Sequence, residues 1–305
     1  MLQWVDRSRG IHFMRMAALG AWIVFAMGAF ATAFASAADP ADAAALRARY
    51  AELRTRLEAS PFGRPLHVDS RELGAQLEGE VHAVVDQPFG SVRSALSDPV
   101  NWCRVLTLPF NVLRCDSHGD LVRIHVGRKP TTPVEDATVI ELRFRVVARE
   151  ADFLKVSLSA PSGPAGTRDY RIAFSALPVE GNRTLVHLSY GYANGTLSRL
   201  ALQAYLATSG AHKVGFSTHG MDPQGRPALV GGMRGLTERN TMRYFLAIEA
   251  FLASLDAPPE QRLRARLEHW FDATERYPRQ LREMTRAEYL ELKTRAAARD
   301  HIASN

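Results

Sequence analysis

Between residues 80 and 194 the chain alternates apolar and polar side chains with a period of two, segment after segment. This pattern restricts it to antiparallel strands with one dry face and one wet face. Val122, Ile124 and Val126 alternate with Arg123 and His125; Ile140, Leu142, Phe144 and Val146 alternate with Glu141, Arg143 and Arg145. Leu154, Val156 and Leu158, then Tyr170, Ile172 and Phe174, then Val186, Leu188, Tyr190 and Tyr192 repeat the arrangement. Strands are expected at 80–86 and near 112–117, 121–128, 138–149, 153–160, 168–178 and 183–194, about seven in all. Such a sheet needs a cover on one side.

The longest apolar surface available as a cover is "RGLTERNTMRYFLAIEAFLASL", residues 234–255, which reads as one helix. On a helical wheel Met233, Thr237, Asn240, Tyr244, Ile248, Phe251 and Leu255 share a face, polar in its first half and apolar in its second. A buried amide without a partner costs on the order of 1–3 kcal/mol, so Asn240 needs one. A backbone carbonyl or a sheet side chain such as Arg168, whose parity points it inward beside Tyr170, is one candidate. The head group of an amphiphile held by Asn240, Arg243 and Tyr244 is the other.

The first strand is followed by "QPFGSVRSALSDPVNWCRVL", in which Pro88 opens one short helix and Asp98-Pro99 a second. The segment "VHAVVDQPFGSVRSALSDPVNWCRVL" together with "ERNTMRYFLAIEAFLASL" resembles the START-like, or SRPBCC, superfamily of helix-grip proteins, over residues 77–255. The resemblance implies an α+β fold in which a curved antiparallel sheet wraps a long C-terminal helix, with extra helices at both ends. It also implies an apolar cavity between sheet and helix for a lipid or other hydrophobic small molecule. The side chains expected to face that ligand are Trp102, Phe144, Arg168, Tyr170, Tyr190, Tyr192, Met233, Asn240, Arg243, Tyr244 and Ile248.

Three parts fall outside the pattern. Residues 38–76 read as an N-terminal helical arm that starts at Asp39-Pro40. Residues 196–232 are an insertion whose "LSRLALQAYLA", with Leu197, Leu200, Leu202, Tyr205 and Leu206, suits a lid, a membrane-touching patch or a packed helix. Residues 256–305 form a helical tail with a capping box at Thr285–Glu288. Residues 1–37 combine Arg7, Arg9 and Arg15, an apolar run and Ala35-Ser36-Ala37, the pattern of a cleaved secretory signal; an uncleaved anchor is the alternative. The expected location is therefore the periplasm of a bacterium. Cys103 and Cys115, an even pair in an oxidising compartment, are expected to form a disulfide, with two buried thiols as the alternative.

Removing residues 1–37 leaves 35 basic against 31 acidic residues, a formal charge of about +4. No Lys/Arg block supports nucleic-acid binding, and the balance allows only a transient contact with anionic membranes. No nucleotide, P-loop or H-E-x-x-H motif is present, no cofactor or metal is expected, and Ser217 and His219 in "GFSTHG" lack the context of a nucleophile elbow. Binding of a hydrophobic molecule is the leading expectation; a cyclase or hydrolase working in the same cavity is the rival. The oligomeric state is open.

Overall fold

The computed structural model describes residues 40–195, 199–200, 202–204 and 212–303. The expected signal segment, and Leu197, Tyr205 and Leu206 of the insertion, lie outside the described residues. No helix among the described residues is long and apolar enough to cross a membrane.

The chain opens with helix α1 (Pro40–Glu58), followed by strands β1 (Leu66–Leu73) and β2 (Gln76–Val85). Two short helices, α2 (Phe89–Leu96) and α3 (Pro99–Leu106), come next. Asp98 caps α3 by accepting from Val100 N, with Pro99 at the first helical position, as its sequence foretells. Strands β3 (Val112–His118), β4 (Leu121–Val126), β5 (Thr138–Arg149), β6 (Leu154–Ser162), β7 (Thr167–Val179) and β8 (Arg183–Asn194) complete one antiparallel sheet. Its spatial order is β1-β2-β8-β7-β6-β5-β4-β3, so the opening pair β1–β2 closes against the last strand. The insertion contributes a two-stranded hairpin, β9 (Thr218–Met221) and β10 (Pro227–Leu229). The long helix is α4 (Gly232–Ala253), and the tail forms α5 (Arg262–Glu275), a single turn α6 (Pro278–Leu281) and α7 (Arg286–Ala303).

The sheet has eight strands because β1 arises inside the segment expected to be a purely helical arm. Only Leu66, Val68 and Ser70 of β1 turn inward, and a serine at the third inward position hides the alternation. The inner faces of β1, β2 and β8 carry α4, while α3 packs over β3 and β4. Gly79 of β2 lets the helix come close: a Cβ there would lie 2.3 Å from the Thr241 hydroxyl.

The outer face is not wholly wet, as the alternation suggested. A register shift between Val146 and Ala148 turns Ala148 outward. There it joins Leu46 of α1, Val84, Phe153, Leu177 and Leu185 in a second, smaller core. Helix α1 therefore roofs part of the outer side.

The tail packs back onto the domain. Trp270 donates its indole N–H to Arg243 O at 3.2 Å, and Tyr289 donates its hydroxyl to Leu108 O at 2.9 Å. The Lys293 ammonium is buried and donates to Thr107 O, Pro109 O and Val112 O, each at 2.7 Å. Thr285 and Glu288 form the expected reciprocal capping box. With the sheet on one side and α5 on the other, α4 is buried nearly all round, not along one stripe.

Cys103 of α3 and Cys115 of β3 are joined by a disulfide at a sequence separation of 12. Closing a loop of this size removes unfolded-chain entropy worth roughly 3 kcal/mol. Adding reductant should therefore lower the melting temperature by about 6–12 °C, since roughly 2–4 °C accompany each kcal/mol in a chain of this size. Identical melts with and without reductant would show that the bridge does not constrain the chain.

Candidate ligand cavity

Between the middle of α4 and the inner faces of β8, β7, β5 and β4, the surfaces do not meet completely. A cavity of about 160 Å³ remains. Its floor is apolar, built from Ile124, Ile140, Leu142 and Ile172, the inward-parity positions of three strands. Its rim is polar: Asn111, Tyr170, Tyr190, Asn240, Arg243 and Tyr244 line it.

Arg243 donates from one terminal nitrogen to Asn240 Oδ1 at 3.2 Å and from the other to Glu283 Oε1 of the tail at 2.7 Å. Its guanidinium also lies 5.3 Å from the centre of the Phe110 ring. The Tyr190 phenol faces Asn240, an interaction that opposes the effect of its burial. The Asn240 oxygen and the two terminal nitrogens of Arg243 are thus met by one another and by the tail.

Three tyrosines line the polar end, Tyr170, Tyr190 and Tyr244, with Tyr192 packed behind them. Tyr190 lies 5.3 Å from Tyr244 and 5.7 Å from Tyr192 between ring centres, and Tyr192 stacks on Tyr170 at 5.5 Å. The Tyr170 hydroxyl is 2.8 Å from Thr167 Oγ1, whose own proton goes to Pro164 O. Burial pushes the Tyr190 phenol well above its ordinary value and Tyr192 and Tyr244 up to about 12. Phenols held in this way are neutral at physiological pH and present O–H donors, the reverse of what a general base requires.

Of the side chains singled out in the sequence, Tyr170, Tyr190, Asn240, Arg243 and Tyr244 meet at this cavity. Trp102, Phe144 and Ile248 are solid core, and Trp102 spends its indole N–H on Leu96 O. Tyr192 sits behind Tyr190, and Met233 is buried at the start of α4; neither lines the cavity. Arg168 contradicts its inward assignment. A register shift between Arg168 and Arg171, with Asp169 at φ 56°, adds a residue and reverses the parity, so Arg168 is exposed beside Asp169. The floor residues Ile124, Ile140, Leu142 and Ile172 were visible as inward alternation, but nothing in a strand pattern says which inward positions border a void.

Carboxylates and histidines are also buried where the sequence showed none. Glu238 is fully buried on the side of α4 away from the cavity, where it binds the insertion. On the outer face His82 and His187 are paired across β2 and β8. Their rings stack at 4.2 Å, and with Glu80 they bring ligand-capable atoms within 4.8 Å of one another. Cross-strand register assembles this group, which is why sequence spacing did not suggest a metal. Ser217 and His219 do not pair: Ser217 donates to Glu238 and the His219 ring bonds Ala228 O.

No protein-family model matches the sequence, and no curated protein matches it. Solved structures do show likeness. A conserved protein of unknown function, EF2215, from Enterococcus faecalis is 9% identical, covers 73% of this chain and 96% of its own, and has a TM-score of 0.32. Norcoclaurine synthase from Thalictrum flavum is 16% identical over 48% of this chain and 79% of its own, with a TM-score of 0.30. Ara h 8.0201 is 9% identical over 62% of this chain and 99% of its own, with a TM-score of 0.33. At such scores the likeness adds nothing to the topology, which speaks for itself. Two short helices follow β2, six strands return in consecutive antiparallel order to pair with it, and a long late helix crosses the inner face: the chain has an α+β fold of the helix-grip type.

Proposed function

We propose that this protein binds a compact hydrophobic molecule carrying one polar group in the cavity between sheet and long helix. The observation that carries the reading is the division of that cavity into an isoleucine–leucine floor and a rim of neutral phenols and an amide. An apolar body would lie on Ile140, Leu142 and Ile172 while its polar group meets Tyr244 or Asn240. The volume, about 160 Å³, sets the scale of the occupant. A closed apolar cavity of roughly 150 Å³ accommodates a benzene ring. Ligand pockets for larger molecules run to about 300–1,000 Å³. A whole lipid exceeds the space unless Tyr170, Tyr190 and Tyr244 swing outward, so a lipid would enter by one end only. Coupled to the export signal expected in residues 1–37, this is a binding or carrier role in the cell envelope.

Benzene and phenol, titrated against the full chain and followed by NMR, test the reading. Both should shift resonances of the floor residues, phenol binding tighter. Leu142→Trp, which fills the cavity, should abolish binding of both. Asn240→Ala should weaken phenol about tenfold and leave benzene unchanged, the loss expected for one hydrogen bond of about 1 kcal/mol or somewhat more. Unchanged binding in Leu142→Trp, or none in the parent protein, would remove the proposal.

A further inference from the structure

A larger concavity lies elsewhere in the molecule. It lies between α3 and the start of β3 on one side and the C-terminal end of α4, α5 and α7 on the other, and holds about 630 Å³. That is about four times the volume of the sheet–helix cavity and falls in the ~300–1,000 Å³ range of small-molecule sites. Leu108, Val112, Leu113, Phe251, Leu255 and Leu267 give it apolar walls.

Three arginines share the same space: Arg104 from α3, and Arg262 and Arg266 from α5. Each donates to a neutral oxygen: Arg104 to Asn101 Oδ1 at 2.6 Å, Arg262 to Ala257 O at 3.0 Å, and Arg266 to Arg262 O at 3.1 Å. Among the described residues none of the three has a carboxylate within ion-pair distance, although Arg64, Arg71, Arg123, Arg143, Arg243 and Arg282 all do. A guanidinium offers five N–H donors, so most of the donor capacity here is uncommitted.

The other charged groups of the lining do not cancel the cluster. Asp116 faces Arg123, His118 and His125, and Lys293 has its three protons on three carbonyls. Arg266 is held over the Phe251 ring at 5.8 Å, and burial together with its neighbours Arg104 and Arg262 draws it down to about 10. Like charges gathered beside an apolar hollow are destabilising alone and are relieved by an anion, and guanidinium forks match carboxylate and phosphate oxygens.

We propose that this cleft binds a single-chain anionic amphiphile, with its carboxylate or phosphate head on Arg104, Arg262 and Arg266 and its alkyl chain along the leucine-lined wall. This site is independent of the sheet–helix cavity. It is also a better match in size for the lipid-like ligand that the sequence suggested.

Calorimetric titration of the full chain with dodecanoate, dodecyl phosphate, dodecanol and inorganic phosphate tests it. The two anionic amphiphiles should bind at least tenfold more tightly than dodecanol, and at least a hundredfold more tightly than inorganic phosphate. The double variant Arg104→Gln/Arg262→Gln, at positions that are not deeply buried, should lower the anionic amphiphiles to the level of dodecanol and leave dodecanol unchanged. Leu142→Trp should leave all four affinities as they were, which separates this site from the smaller cavity. Equal affinity for dodecanoate and dodecanol would overturn the proposal, as would unchanged affinity in the double variant or loss of binding in Leu142→Trp. Inorganic phosphate binding as tightly as dodecyl phosphate would identify a plain anion site and overturn it equally.

Discussion

Replacing Glu238 by alanine should cost about 3–5 kcal/mol of unfolding free energy, the largest effect expected of any single side chain here. Its carboxylate has no solvent exposure. Oε2 accepts from Phe216 N at 2.6 Å and Ser217 N at 2.9 Å, and Oε1 accepts from the hydroxyls of Ser217 at 2.5 Å and Ser70 at 2.6 Å. One side chain of α4 thus holds the end of the insertion and edge strand β1 together. The approach is so close that a Cβ at Gly215 would lie 2.4 Å from Glu238 Oε2, and one at Gly235 would lie 2.7 Å from Val230 O. Truncation leaves four donors without this acceptor, those of Phe216 and Ser70 buried and the two of Ser217 half-buried, at about 1–3 kcal/mol for each buried one before relaxation and water entry reduce the sum. Glu238→Gln should be intermediate, because its NH2 group opposes donors where an oxygen stood. Urea unfolding of the three proteins decides the matter, and a loss below about 1 kcal/mol for the alanine variant would show that the clamp bears little load.

Stability should also fall steeply in mild acid. Burial draws His82 down to about 2, and burial again, aided by nearby cations, draws His187 down to about 4. In the unfolded chain both imidazoles titrate near 6.5. Above that pH both rings are neutral in either state and contribute no slope. Below it the unfolded chain takes up two protons that the folded chain refuses, and stability declines by up to about 2.7 kcal/mol per pH unit. Near pH 4 His187 becomes protonated in place and the slope due to histidines halves, persisting for His82 toward pH 2. Glu78, drawn below its ordinary range by Arg71 and Ser189 despite the desolvation that opposes them, adds in the same direction near pH 4.5. Urea unfolding at pH 7.5, 6.0, 5.0 and 4.5, with EDTA present to keep Glu80, His82 and His187 free of metal, should show the decline. His187→Gln should halve the slope between pH 6 and 5. A flat profile from pH 7 to 4.5 would mean that both rings are hydrated in the folded state.

The alternation of Ile140, Leu142 and Phe144, and its counterparts on neighbouring strands, was enough to announce an antiparallel sheet. The proline-opened helices and the long apolar helix announced the rest of the grip. The capping residues Asp98 and Thr285 were equally plain, because a cap is a contact between near neighbours in the chain. The site was half legible. Tyr170, Tyr190, Asn240, Arg243 and Tyr244 were recognisable as polar groups on faces that had to be buried. Arg168 was misplaced because one extra residue in a ladder reverses every side chain before it, and a bulge leaves no mark in a two-residue period.

What the amino-acid order settled alone is therefore local: which segments alternate, which turn helical, where helices begin and which faces must be dry. Each of these depends on interactions a few residues long. The size of the void beneath α4, the partners of Glu238, the His82–His187 stack and the meeting of Arg104 with Arg262 and Arg266 are matters of tertiary structure. They join residues from distant elements, and only the register of the sheet and the packing of the tail decide which of them meet.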